Sequence, residues 1–169
     1  MSGMKKALQA LNGLERDGVI GRYAIGGAMG ATFYVEPFTT FDLDVFVVLP
    51  EAGGLVTFEP LYKELAKRGY PAREECAIVE GIPVQFLPSG TPLLDEALAQ
   101  ARDVPYEDVM TRVFSLEHLV AVAVQAGRAK DRQRVQMFLD ACVLDRARLG
   151  DILSRHGLME RFSQWTRSA

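Results

Sequence analysis

The feature that most constrains this chain is an apolar stretch, FDLDVFVVL at residues 41–49, that carries two acidic side chains. Because side chains alternate across a β-strand, Asp42 and Asp44 leave the strand on one face while Leu43 and Val45 leave it on the other. The Cα atoms of the two acids would lie roughly 6.6 to 7 Å apart, which lets their carboxylates converge on one or two metal ions. We therefore expect a Mg²⁺ site on this strand, because two carboxylates in so apolar a setting need a compensating cation.

The alternative interpretation of this stretch is a solvated edge strand that carries two surface acids. Residues on both faces of the segment are strongly apolar, as is typical of a strand covered on both sides. The sequence therefore favours a central strand.

A glycine pair upstream supplies a second candidate element. The sequence YAIGG at residues 23–27 predicts a short strand that turns at Gly26 and Gly27 into a helix over residues 28–35. Backbone N–H groups at such a bend point toward a ligand, and glycine lets a phosphate approach closely. A plain strand-to-helix turn is the alternative, and the acids downstream favour the binding interpretation.

Composition limits the class of protein. The 169 residues fit one domain, and a hydrophobic content of 49% supports a sizeable core. A net charge of −3 argues against a dedicated nucleic-acid or anionic-membrane binder. Cys76 and Cys142 lack metal-ligand spacing and are predicted to be thiols of a reducing compartment. Without a signal-peptide pattern or a membrane span in the sequence, we expect a cytoplasmic protein.

The pattern of helices and strands predicts an α/β (α+β) fold, with a small mixed β-sheet flanked by helices. Residues 1–90 are expected to form the α/β core, and residues 91–169 a helical part packed on it, or both form one compact domain. After Thr91 the pattern is almost wholly helical, with a helix capped by Ser115 and ended by Gly127. The other predicted elements are helices at 4–17, 57–68 and from 130 onward, a hairpin of strands 75–79 and 82–87, and two terminal helices broken at Gly157.

The strand, the glycine pair, the Asp42-x-Asp44 strand and the later AGRAKDRQRV segment together resemble the nucleotidyltransferase superfamily. The resemblance is to its minimal bacterial branch, which includes abortive-infection toxin nucleotidyltransferases. It implies that Asp42 and Asp44 are catalytic and bind one or two Mg²⁺ ions. It also implies that the nucleoside triphosphate contacts four residues: Gly26, Gly27, Thr40 and Lys130.

The chain departs from the family pattern at two positions. The family usually has a third carboxylate on a later strand, and here Gln85 occupies that place. A glutamine amide can ligate a metal or orient a substrate, but it cannot act as a carboxylate base. Glu80 is a candidate to replace the acid. The minimal branch also often carries a lysine where this chain has Ala123.

A basic cluster lies in the AGRAKDRQRV segment and has two interpretations: a contact with triphosphate or a nucleic-acid acceptor, or a solvated helix start. Its members are Arg128, Lys130, Arg132 and Arg134. Asp131 shares a helical face with Val135 and Phe138, so its side chain is expected to point inward and to cap the helix or pair with a base. His118 and His156 lack ligand spacing. Phe162 and Trp165 are expected in helix packing or self-association.

Two functions follow from these residues. The first is a metal-dependent nucleotidyltransferase that transfers a nucleoside monophosphate from a triphosphate to an RNA or protein acceptor, with activity weakened by Gln85 and Ala123. The second is a catalytically degenerate nucleotide-binding or partner-binding protein of a toxin–antitoxin type, acting as a homodimer or with another protein. A dinucleotide-binding fold is a weaker alternative, because Gly26, Gly27 and Gly30 do not match G-x-G-x-x-G.

Overall fold

A mixed seven-stranded β-sheet with helices on both faces forms the framework of the computed structural model, which describes residues 3–34, 42–51, 53–141 and 144–167. The predicted α/β class is confirmed. In chain order the elements are α1 (Gly3–Arg16), β1 (Tyr23–Ile25), α2 (Gly27–Ala31), β2 (Leu43–Val47), α3 (Glu59–Lys67), β3 (Ala72–Arg73), β4 (Cys76–Val79), β5 (Ile82–Pro88), α4 (Pro92–Ala99), β6 (Arg102–Tyr106), β7 (Val109–Val113), α5 (Leu116–Ala126), α6 (Ala129–Asp140), α7 (Arg146–Arg155) and α8 (Met159–Arg167).

The acidic strand β2 lies at the centre of the sheet. The strand order is β3-β4-β5-β2-β1-β7-β6, so β2 has a partner on each side. It runs antiparallel to β1 and parallel to β5, and its Asp44 is in register with Gln85. The prediction of a central strand is therefore confirmed, and the edge-strand interpretation is wrong.

The alternation of side chains along β2 separates two hydrophobic cores. Leu43, Val45 and Val47 are fully buried in the core that includes apolar residues of α1 and α3. Phe46 belongs to the other core, which is built from α4, α5, α6 and α7. Asp44 precedes Phe46 by two residues and shares its face. The alternation predicted from the sequence is thus present, and it places Asp44 on the side of the sheet that α5 covers.

The expectation that the chain is almost wholly helical after Thr91 is wrong, because β6 and β7 form a hairpin in the same sheet. The two strands meet at Glu107 and Asp108, and Glu107 has a φ of 53° without being a glycine. Pro105 is tolerated because β6 is the edge strand. The inner strand β7 pairs with β1 in parallel, so strands from both sides of residue 90 contribute to one sheet.

Helix α5 has the predicted boundaries, and α6 begins at Ala129, next to the predicted start at Lys130. The Ser115 side chain accepts a hydrogen bond from the backbone N–H of His118 at the start of α5, and Gly127 ends that helix in the left-handed conformation. In α6, Asp131 is completely buried, as its helical face predicted. Phe162 and Trp165 of α8 pack against the core formed by α4 to α7.

Smaller differences concern the bounds of two helices. Helix α2 is shorter than predicted, ending at Ala31, and α3 begins at Glu59 after Phe58 rather than Thr57. None of the helices in the described ranges combines the length and the apolar character needed to span a membrane. Cys142 lies outside the described residues.

A carboxylate of α4 connects the C-terminal helices to the core. Glu96 accepts hydrogen bonds from Arg155 at 2.7 and 2.9 Å, from His156 at 2.8 Å and from His118 at 3.1 Å. Because the carboxylate can only accept, Nε2 of His118 carries the proton, and the Ser115 hydroxyl donates to Nδ1 at 2.7 Å. Both histidines therefore bond to the Glu96 carboxylate and connect α5 and the end of α7 to α4.

We predict that this cluster makes the folded protein less stable as the pH falls into the acidic range. The pKa of Glu96 lies well below its ordinary value of 4.5, chiefly because of Arg155 and further because of His156 and His118. Its stabilising contribution is therefore complete above about pH 4.5 and lost as the pH falls through the folded-state pKa. Glu96→Gln should flatten the decline in urea-unfolding free energy below that pH. The exposed-loop variant Glu51→Gln is the control, and equal pH profiles for wild type and Glu96→Gln would contradict the assignment.

Candidate active site

The centre of the candidate site is the contact between Asp44 and the glycine bend. Asp44 is half-buried on β2, and a Cβ atom added to Gly27 would overlap its Oδ2 atom. Gly27 also has a φ of +57°, a conformation that favours glycine. The predicted proximity of an acid to the glycine bend is therefore present for Asp44.

Gly26 has a different role from the one the sequence suggested. Its backbone N–H donates to the carbonyl oxygen of Asp44 at 3.0 Å, so this group is not free for a phosphate. A Cβ atom at Gly26 would collide with the ring of Phe46. The expectation of a free N–H at Gly26 is thus wrong, because the β1–β2 pairing extends one residue past β1. Gly26 permits close packing, while Gly27 gives Asp44 its space.

The other predicted site residues of the sheet lie around Asp44. Gln85 is half-buried on the neighbouring strand in register with Asp44, so their side chains lie on the same face. Asp42 is exposed just before β2 begins. Burial raises the pKa of Asp44, and among nearby charges Arg134 opposes this most strongly while Asp42 reinforces it. Thr40 lies outside the described residues.

Asp44 and Gln85 open into a cavity of about 390 Å³ between the sheet and helices α5 and α6. One part of its wall is polar, and the other is apolar. The polar residues are Asp44, Gln85, Gln125, Arg128, Asp131 and Arg134. The apolar wall includes Phe46, Leu87, Leu94, Leu119, Val122 and Ala123. Ala123, the second position where the sequence departs from the pattern it resembles, therefore faces the same cavity as Asp44.

Two arginines of the basic cluster are held at this cavity by a buried carboxylate. Asp131 accepts two hydrogen bonds from Arg128, at 2.5 and 3.1 Å, and one from Arg134 at 3.3 Å. The Arg128 side chain remains 57% exposed and that of Arg134 15% exposed. The prediction that Asp131 pairs with a base is confirmed. Lys130 is exposed in the first turn of α6, and its charge also lowers the pKa of Asp44.

The donor atoms around Asp44 suit Mg²⁺. Asp42, Asp44 and Gln85 offer carboxylate and amide oxygens, which are the ligands that this ion prefers. Within the described ranges, no three His, Cys, Asp or Glu side chains form a metal-binding group. The chain would thus supply few ligands, as is usual for Mg²⁺ sites completed by water and substrate phosphate.

Glu75 lies beside Gln85 and was not recognised as a site residue from the sequence. Glu80 was considered from the sequence but lies away from Gln85. Glu75 accepts a hydrogen bond from Nε2 of Gln85 at 3.5 Å. Glu80 instead lies at the β4–β5 turn, where it contacts the Tyr70 hydroxyl at 3.1 Å and Lys6 at 4.0 Å. Its proposed substitution for the missing acid is therefore wrong. The only sequence signal for Glu75 was its position at the start of a predicted strand.

We predict that Gly27→Ala displaces the Asp44 carboxylate. The variant should lose about 1 to 3 kcal/mol more unfolding free energy than Gly18→Ala, because overpacking adds to the backbone cost. Gly18 is the matched control, since its φ is +72° and no heavy atom lies within 4 Å of an added Cβ. Chemical denaturation measures both values. In an Asp44→Ala background most of the excess cost of Gly27→Ala should disappear, because only the Cβ atom of residue 44 then remains, at 3.0 Å. Equal losses for Gly27→Ala and Gly18→Ala would contradict the contact.

Comparisons with known proteins identify the fold. No family model and no curated protein sequence matches the chain. A nucleotidyltransferase-like protein from Paracoccidioides brasiliensis is similar in structure, with a TM-score of 0.60 and 14% identity over 97% of this chain and 91% of the other. The antibiotic-resistance factor ANT(2'')-Ia is similar with a TM-score of 0.55 and 15% identity over 99% and 98% of the two chains. Its complex with adenylyl-2''-tobramycin gives a TM-score of 0.55 and 16% identity over 94% and 96%. The chain therefore has a nucleotidyltransferase-like fold.

Proposed function

We propose that the protein is a Mg²⁺-dependent nucleotidyltransferase, which transfers a nucleoside monophosphate from a nucleoside triphosphate to an acceptor. The observation that carries this proposal is the half-buried Asp44, packed on Gly27 and facing the same cavity as Arg128 and Arg134. The structural neighbours are nucleotidyltransferase-like proteins, which supports nucleotidyl transfer in general. Release of pyrophosphate would accompany the transfer.

The negative and positive groups at the site match the cation and the phosphates of a Mg²⁺-bound triphosphate. Asp44 and Gln85, which line the cavity, would hold Mg²⁺ together with Asp42, which lies exposed just before β2 and is not among the lining residues described. The ion neutralises phosphate charge when it is bound. Arg128 and Arg134 offer guanidinium groups, which suit phosphate oxygens geometrically as well as by charge. Asp131 fixes both groups in place. Such a reaction depends on positioning and charge stabilisation more than on covalent catalysis by the protein.

Gln85 restricts the acceptor. Since its amide cannot remove a proton, the residue in register with Asp44 provides no base for an acceptor hydroxyl. A phosphate acceptor, which is already ionised, would not need that base. The cavity also fits a polycation like tobramycin poorly, because among the described residues its acids are Asp44 and Asp131, and Asp131 already bonds two arginines. An RNA end that carries a phosphate is therefore the acceptor to test first, ahead of hydroxyl groups of RNA or protein.

Gln85 also favours a second candidate function. A degenerate member of the fold would bind Mg²⁺ and nucleotide through the same residues without turnover, and would act in a toxin–antitoxin system through a partner. The two functions share the binding site and differ only in chemistry. Incubation with labelled triphosphate, Mg²⁺ and RNA or protein acceptors separates them, because label transfer with pyrophosphate release is expected only of the enzyme.

We predict that Asp44→Asn abolishes the Mg²⁺-dependent thermal stabilisation of the protein by nucleoside triphosphate. The amide removes the charge that attracts the cation while keeping the shape of the side chain. Asp103→Asn, on the edge strand β6 with a 75% exposed carboxylate, is the matched control and should behave as wild type. An Asp44→Asn protein that retains the full metal-dependent shift would remove this site from both candidate functions.

We also predict that Arg128→Ala weakens triphosphate binding roughly tenfold, which corresponds to loss of one charged hydrogen bond. Arg132→Ala is the control, since Arg132 is an exposed residue of the same helix and does not line the cavity among the described residues. Isothermal titration calorimetry with a non-hydrolysable triphosphate and saturating Mg²⁺ measures both affinities. Equal affinities for the two variants would refute phosphate binding by Arg128.

A further inference from the structure

We infer that Glu75 is a positioning residue, which holds the Gln85 amide so that its oxygen, rather than its nitrogen, lies beside Asp44. This inference rests on the proposed function, because it concerns how the same site accepts Mg²⁺. It also explains how the chain manages without the third carboxylate of the family pattern. The neutral amide of Gln85, held by the charged Glu75, takes the place of that one acid.

The chemistry of the contact fixes the direction of the amide. Nε2 of Gln85 lies 3.5 Å from Oε2 of Glu75. An ionised carboxylate has only acceptor atoms, so the amide must turn its NH₂ group toward Glu75. The Oε1 atom of Gln85 then points away from Glu75. Without Glu75, either orientation of the amide would be available.

Because of where Gln85 lies, the direction of its amide determines whether it can bind a cation. Gln85 pairs with Asp44 across two parallel strands, and neighbouring strands lie about 4.8 Å apart. Both side chains line the cavity that also contains Arg128 and Arg134. An oxygen at this place adds a ligand of the type that Mg²⁺ prefers, whereas an NH₂ group there would repel the cation. A residue that hydrogen-bonds to a metal ligand from behind commonly orients that ligand.

The charge of Glu75 acts on the same region. The pKa of the Cys76 thiol is raised by burial first, and then by the carboxylates of Asp42, Asp44, Glu75 and Glu74. These acids therefore share one electrostatic neighbourhood around β4 and β2. Because Glu74 contributes to it as well, Glu74 provides a control that separates general charge from the specific contact with Gln85.

The test measures the Mg²⁺ concentration that gives half of the thermal stabilisation by a non-hydrolysable ATP analogue. Glu75→Ala should raise this concentration about tenfold, the lower end of the loss in metal affinity that follows removal of a residue that orients a metal ligand. Glu75→Gln should raise it by a similar factor, because the new amide can donate to Gln85 as well as accept from it and so no longer fixes the direction of the Gln85 amide. Glu74→Ala removes a charge from the same turn and should stay within about twofold of wild type. All three variants are compared with wild type for their unliganded melting temperature.

Two results would overturn the inference. Wild-type behaviour of Glu75→Ala would show that the Gln85 amide needs no partner. Equal losses in Glu75→Ala, Glu75→Gln and Glu74→Ala would show an effect of charge alone. In either case, loss of the shift in Asp44→Asn would leave the proposed function standing. Losses in both Glu75→Ala and Glu75→Gln, with Glu74→Ala unaffected, support the positioning role.

Discussion

The contact between the Asp44 carboxylate and the backbone of Gly27 is the constraint on which the rest of the site depends. Asp44 lies at the centre of the sheet, and its own carbonyl oxygen accepts the N–H of Gly26 at 3.0 Å. The acid and the glycine bend are therefore fixed to each other through both the backbone and the side chain. Burial raises the pKa of Asp44, so the ionised form needs positive charge nearby.

Helix α6 brings that positive charge in a form suited to phosphate. A basic segment at a helix start would normally be solvated, but the buried Asp131 holds Arg128 and Arg134 toward the cavity. The sheet thus contributes oxygen ligands of negative or neutral charge, while the helix contributes guanidinium groups. This division fits a metal-bound triphosphate, whose cation and phosphates require opposite partners. The apolar wall around Phe46 and Leu119 gives the remaining part of such a ligand a surface that excludes water.

Local signals in the sequence were sufficient for the central elements and insufficient for long-range pairing. Alternation along residues 42–47 predicted the faces of β2, and Ser115 and Gly127 fixed the ends of α5. The β6–β7 hairpin was missed because its turn lacks glycine, although Val109, Thr111 and Val113 show the alternating burial of a strand. The bond from Gly26 and the approach of Glu75 to Gln85 both arise from strand pairing, which no short stretch of sequence specifies.

The central claim is that a divalent cation and a triphosphate share the cavity between Asp44 and Arg128. Its most direct test is a crystal structure of the protein with Mn²⁺ and a non-hydrolysable nucleoside triphosphate, with anomalous diffraction locating the metal. The account predicts a manganese peak bound by Asp42, Asp44 and the Gln85 oxygen, with phosphates reaching Arg128. A manganese peak remote from Asp44, or a nucleotide bound outside this cavity, would contradict it.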